Sequence, residues 1–178
     1  LAFVGAVQLI KFGAGIFVAD LVGIAVAREM AAIITAVVMA GRTGAAFAAE
    51  LATMQVNEEV DALEVLGLNA VDFLVLPRVI ALLLVMPLLY VYGCVTGLIG
   101  GMLVAAGMLD LSPLAYLDRT VEALRWTHLT LGLTKSLVFG GLIGMVGCYC
   151  GLHAQRNAAG VGIATTQAVV TTVVGVIV

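Results

Sequence analysis

Three charged side chains sit where charge is expensive. Arg28 and Glu29 follow seven uncharged residues and precede twelve, and only uncharged residues run from 136 to 153 after Lys135. A charge inside an apolar span is costly and usually faces a cavity or a partner. The chemistry these types offer is anion binding. Arg's planar fork suits phosphate oxygens, and Lys supplies a compact point charge. Neither cation has an acid four positions away, and Glu29, about 100° round the helix from Arg28, points elsewhere. Two readings stay open. In one, Arg28, Glu29 and Lys135 line a polar patch in a substrate cavity. In the other, they anchor helix ends by snorkelling to the interface.

A second constellation lies in residues 50–78, where charge is densest. Val56, Val60, Leu63 and Leu66 recur at helical spacing and form one face, while Glu58, Asp61 and Glu64 fall on the other. Asn57 is a good N-cap residue, Glu58 and Glu59 in the first turn suit the positive end of the helix dipole, and Gly67 is a natural stop. The spacing predicts a short amphipathic helix outside the hydrocarbon, joining two membrane helices. So short a helix is marginal alone in water and needs a surface to lie on.

Other chemistries find no support in the residues. His128 and His153 are far apart, and the three cysteines, Cys94, Cys148 and Cys150, lie in apolar runs without ligand spacing, so no metal site is expected. Gly41-Arg42-Thr43-Gly44 lacks the Gly-Lys-Ser/Thr ending of a phosphate-binding loop. There is no nucleophile–base pair, no catalytic residue is assigned, and no cofactor is expected. If ATP is used, another subunit must bind it.

The elements that position these residues follow from composition. Hydrophobic residues are 63% of the 178 and charged residues 11%, against about 25% charged in soluble domains. Mean hydropathy is +1.20. No basic tract points to nucleic acid. The fold class is all-α, a polytopic transmembrane helix bundle. Spans are predicted over residues 21–49, 79–109 and 129–152, with a last one from 162. Turns or loops are predicted over 11–20, with Gly13 and Gly15, over 110–128, and over 153–162. Residues 1–10 look like the end of a further helix. Both ends of the sequence lie in apolar stretches and the first residue is Leu1, so we read a fragment, cut at both ends, of a single transmembrane domain over 1–178. Pro87 should kink its helix. Gly93, Gly97 and Gly101 form a small-residue stripe that suits close helix packing, as do Gly41, Ala45 and Ala49 and also Gly44, Ala48 and Ala52. Loop charges leave the orientation tied: Lys11, Arg119 and Arg125 fall on one side and Arg42, Arg78 and Arg156 on the other.

Several motifs, in order, resemble the MlaE/YrbE permease family, the membrane subunits of ABC-type lipid transporters. They are Arg28-Glu29-Met30, Ala40-Gly41-Arg42-Thr43-Gly44-Ala45, Ala49-Glu50-Leu51-Ala52-Thr53-Met54, the run from Asn57 to Gly67, Pro77-Arg78, Lys135-Ser136, Val138-Phe139-Gly140, Gly160-Val161-Gly162 and Ala164-Thr165-Thr166. The resemblance implies a homodimeric, multi-pass permease of the bacterial inner (cytoplasmic) membrane. It implies a cytoplasmic ABC ATPase, an MCE-domain lipid-binding protein and often a STAS-domain protein as partners. The substrate class would be phospholipid or a related lipid, and the role maintenance of envelope lipid distribution. Residues 50–78 would hold the coupling helix on the cytoplasmic side, with Glu58, Glu59, Asp61, Leu63, Glu64 and Leu66 facing the ATPase. Arg28, Glu29 and Lys135 would be the lipid-binding residues.

Two other functions compete at this stage. An independent secondary carrier or channel would need broken helices with polar groups converging at the midplane, and Pro87 with Gly93 offers only a weak version. A membrane enzyme would need a catalytic constellation, which the residues lack.

Overall fold

The computed structural model describes residues 2–11, 15–109 and 112–178. We number its helices α1 (Ala2–Lys11), α2 (Val18–Val56), α3 (Glu59–Val65), α4 (Leu76–Leu109), α5 (Pro113–Ala123), α6 (Trp126–Leu152) and α7 (Ala158–Ile177). A 3-10 turn, Gly15–Phe17, leads into α2, and a π turn, Val71–Val75, leads into α4. Among the described residues there is no strand. Gly13 in the first predicted turn and Asp110 in the second loop lie outside the described residues.

Among the described residues, four stretches are long and apolar enough to cross a membrane: Val18–Val56, Val71–Gly107, Trp126–Leu152 and Ala158–Ile177. The fold is a polytopic helical bundle, as hydropathy predicts. Pro87 lies inside α4, which continues past it. α2 carries two π turns of its own, Val26–Met30 and Ala40–Gly44. Single π turns inside α-helices are frequent at functional sites. Here they coincide with the Arg28-Glu29 and Gly41-Arg42-Thr43-Gly44 motifs.

The chain divides into two compact units, residues 1–32 with 89–135 and residues 33–88 with 136–178. In the first, the opening turns of α2 pack against α1 and α5. Ala19, Ala105 and Tyr116 form a buried core with Met102 against it. Small residues let the helices meet: a Cβ at Gly97 would stand 2.7 Å from Val26 Cγ1, and one at Gly101 2.7 Å from Val22 Cγ1. Gly93, on the same stripe, is half-buried.

The loop predicted over 110–128 is corrected by α5. Ser112 accepts a hydrogen bond from the Ala115 N–H, and Pro113 takes the first helical position, where its missing donor costs nothing. Tyr116 and Thr120 are buried on one face of α5. Burial pushes the Tyr116 phenol above its ordinary pKa, so it is neutral at physiological pH. The span expected from residue 129 begins three residues earlier, at Trp126.

The second unit has two buried clusters. One joins Ala36, Ala40, Leu82, Met86, Ile143 and Val176. The other joins Leu51, Val60, Ala70, Leu74 and Cys148. Close backbone approach holds α6 to α2: Cβ atoms at Gly147 and Gly151 would each lie 2.9 Å from a carbonyl oxygen, of Gly44 and Ala48 respectively. Residues 45–56 of α2 pack against α7, whose buried face repeats every four residues at Gly160, Ala164, Ala168, Thr172 and Val176. Ala48 and Ala52 are fully buried, whereas Gly41 faces open space.

Candidate functional site

In the first unit, the π turn sets the geometry of Arg28 and Glu29. The Ala31 N–H reaches back five residues to the Val26 carbonyl. The Ala27 carbonyl takes a hydrogen bond from the Tyr90 hydroxyl at 2.6 Å. Gly132 of α6 completes this node, because an added Cβ there would collide with both the Ala27 carbonyl and the Tyr90 ring. Tyr90 and Gly132 are invisible to a search for charged residues. Their signal, a tyrosine and a glycine in otherwise apolar spans, is weak in isolation.

From this node Glu29 reaches α6. The Lys135 ammonium donates to Glu29 Oε2, and Arg28 Nε lies 3.6 Å from Glu29 Oε1. This corrects two expectations. Lys135 does have an acidic partner, brought to it from a distant helix rather than from four positions away. Glu29 does not point away from Arg28, because both side chains are long enough to close the angle between neighbouring positions. The three charges sum to +1. The Glu29 and Lys135 side chains are each 38% exposed, so the cluster stands at a surface rather than in a sealed core. Beside it runs a groove of about 400 Å³ along α1 and α2, walled by Leu9, Phe17, Leu21, Ile24 and Ala25, with Asp20, Arg28 and Glu29 contributing to its lining. Apolar walls and a cluster of net positive charge thus adjoin.

In the second unit, residues 50–78 form a bracket. Arg78 pairs with Glu50 at 3.1 Å and lies over the Phe47 ring at 5.4 Å from its centroid. Gln55 donates to the Leu152 carbonyl at 3.0 Å. Between these anchors sits α3. Val60 is buried and Leu63 packs beside it, while Glu58, Glu59 and Glu64 are exposed.

Three details differ from the sequence reading. Asn57 is not the N-cap of α3: it ends α2 and donates its side chain to Glu59 Oε1 at 3.0 Å. Glu58 takes the N-cap position instead, in the left-handed region at φ 60°, which a non-glycine residue adopts at a cost of roughly 1–2 kcal/mol. Leu66 is exposed with Val65 rather than buried with Val60. Gly67 does end the helix, at φ 78°, with the Leu68 N–H reaching back to the Leu63 carbonyl at 3.0 Å.

The acidic face is not wholly free either. Arg156, in the turn before α7, grips Asp61 with two bonds of 2.6 and 2.9 Å. Those bonds hold the Arg156 guanidinium above its ordinary pKa. The sequence carried a signal for this pair, since Arg156 falls on the same side of the alternating loops as Arg78.

A second, larger groove of about 590 Å³ lies between α6 and α7, lined by residues including Tyr149, Cys150, His153 and Gln167. No Asp, Glu, Lys or Arg lines it. His153 stacks on Tyr149 with centroids 4.2 Å apart. Among the described residues, no cluster of His, Cys, Asp or Glu has the makings of a metal site.

Comparison with known proteins agrees with this architecture. A profile described as permease MlaE matches residues 1–178. A probable ABC transporter permease protein of Rickettsia prowazekii is 42% identical over 160 residues, covering 90% of this chain and 62% of that protein. A probable ABC transporter permease protein of Synechocystis is 38% identical over 169 residues, 95% of this chain and 64% of its own length. The chloroplastic protein trigalactosyldiacylglycerol 1 of Arabidopsis thaliana is 37% identical over 169 residues, 95% of this chain and 48% of that protein. The chain therefore spans less than two-thirds of the length of these relatives. With a family match along its whole length and four membrane-capable stretches among the described residues, this chain belongs to the MlaE permease family.

Proposed function

We propose that this chain is a single permease domain, the membrane-embedded part of an ABC-type transporter that moves phospholipid and so maintains envelope lipid distribution. ATP hydrolysis is on a separate cytoplasmic ATPase. An MCE-domain protein exchanges lipid with it, a STAS-domain protein joins some assemblies, and the permease works as a homodimer in the bacterial inner membrane. The observation that carries this reading is the Arg28–Glu29–Lys135 cluster beside the apolar groove of α1 and α2. Relatives named as ABC transporter permeases support it, as does one whose name is that of a galactolipid.

In this account the lipid phosphate takes hydrogen bonds from Arg28 and Lys135, and one acyl chain lies against Leu21 and Ile24. Glu29 holds the two cations apart from each other's repulsion while the lipid is absent. Charge-assisted hydrogen bonds of this kind contribute about 1.5–3 kcal/mol each. Glu58, Glu59, Asp61, Leu63, Glu64 and Leu66 form or support the surface that meets the ATPase, with Val60 and Leu63 holding α3 to the second unit.

The test uses the full-length permease. Purified with its ATPase and reconstituted in liposomes, it should move a fluorescent phospholipid only when ATP is hydrolysed. Lipid movement by the permease without any ATPase would identify an independent carrier instead.

A further inference from the structure

α5 has two apolar faces, and the first unit covers one of them. At about 100° per residue, Leu114, Leu117 and Val121 fall within an arc of about 60°, Asp118 and Glu122 occupy the next arc, and Tyr116 and Thr120 a third. Tyr116 and Thr120 are buried against α4 and α2, where they meet Gly101 and Gly23. Leu114, Leu117 and Val121 are 74%, 47% and 74% exposed, and Trp126, at the start of α6, is 83% exposed. Arg119 fixes the rotation of the helix. It bonds Asp20 of α2 and Glu122 at 3.1 Å each, with its guanidinium 5.1 Å from the Phe17 ring centroid.

Its tethers keep α5 close to the spans. α5 begins four residues after Leu109, and two residues separate Ala123 from Trp126. Both neighbours belong to membrane-capable stretches. The part of α4 that holds α5, through Gly101 against Tyr116, also presents Ile99 and Leu103 outward. The exposed stripe of α5 is therefore held one short tether away from helices of the same unit that carry outward apolar residues. A tryptophan at the first residue of a span matches the aromatic belt at membrane interfaces.

We propose that α5 lies in the membrane–water interface, with Leu114, Leu117 and Val121 in contact with lipid, Trp126 at the same level, and Asp118 and Glu122 turned to water. One face of the helix grips the protein, one meets the bilayer and one is wet, the arrangement of an interfacial helix held in place by its own protein. This does not depend on the transported molecule.

Site-directed spin labelling of the full-length permease in phosphatidylcholine nanodiscs tests it, with Cys94, Cys148 and Cys150 replaced by Ala. Single labels at 114, 117 and 121 should be relaxed more by oxygen, which partitions into lipid, than by a water-soluble nickel chelate. Labels at 118 and 122 should show the reverse. Equal nickel access at all five positions would mean a solvated helix, and low access to both reagents at the stripe would mean a protein cover. Either overturns the proposal. If the cysteine-free background fails to fold, the native-cysteine protein serves, with any tryptophan outside residues 1–178 changed to Phe. Brominated phosphatidylcholine should then quench most Trp126 fluorescence, and its failure to quench would contradict an interfacial α5.

Discussion

Lys135 on α6 and Glu29 in the first π turn of α2 are 106 positions apart and form an ion pair, with Arg28 close to the other oxygen of the same carboxylate. The pair lies on two membrane-capable stretches, where each charge depends on the other for compensation. Reversing one charge should be felt, because Glu29→Lys leaves three cations together. We expect Glu29→Lys and Lys135→Glu each to lower the Tm of the purified permease, and the double reversal to recover most of the loss. Additive losses in the double variant would mean that the two side chains do not interact.

The Tyr90 hydroxyl satisfies the Ala27 carbonyl within that π turn. Tyr90→Phe removes one donor and little shape. Leaving a buried acceptor unsatisfied costs about 1–3 kcal/mol. The expected result is a lower Tm with normal membrane insertion. A variant as stable as the parent would mean that the π turn does not rely on this bond.

Helix packing in the first unit gives a controlled comparison. Gly97 faces Val26 with no room for a Cβ, while Gly100, three residues on, meets nothing within 4 Å. Overpacking costs about 1–3 kcal/mol. Gly97→Leu should therefore reduce thermal stability in detergent, and Gly100→Leu should not. Equal effects would mean that the glycine at 97 is not there for close approach.

Asp61 and Arg156 tie α3 to the turn before α7. If α3 passes force between an ATPase and the spans, this tie sets its position. Asp61→Arg should cut lipid-stimulated ATP hydrolysis severalfold without preventing assembly, and adding Arg156→Asp should restore it. Hydrolysis unchanged in Asp61→Arg would reduce the pair to a solvated surface contact.

The spans were legible because the bilayer imposes a strong rule. Residues 79–109 carry no charge, and nothing but a membrane helix accounts for so long an apolar run. α5 escaped because its charges, Asp118, Arg119 and Glu122, gave residues 110–128 the look of a loop; Ser112-Pro113 and the spacing of Leu114, Leu117 and Val121 were its readable signals. Arg28, Glu29 and Lys135 stood out by cost alone, but their pairing is a long-range fact that i,i+4 reasoning cannot reach. Asn57 shows the limit of local propensity. It is a good cap by type, yet Val60 must reach the pocket made by Leu51 and Leu74, and the left-handed turn at Glu58 satisfies that demand. The π turns left no trace in the periodicity, since one added residue at each turn is within its tolerance.

Arg28 and Lys135 are proposed to hold an anionic lipid headgroup, and the phospholipid that stays bound to the purified permease is the measurement that decides it. Full-length wild type, Arg28→Ala, Arg28→Lys, Lys135→Ala and Lys135→Arg would be purified under identical conditions, checked for equal Tm, and their phospholipid content measured by mass spectrometry. Losing a charge-assisted bond of about 1.5–3 kcal/mol corresponds to a drop in affinity of roughly tenfold or more. The account predicts little lipid on the two Ala variants, an intermediate amount on Arg28→Lys, where charge remains without the fork, and near-normal content on Lys135→Arg. Wild-type lipid content in folded Arg28→Ala and Lys135→Ala proteins would contradict it.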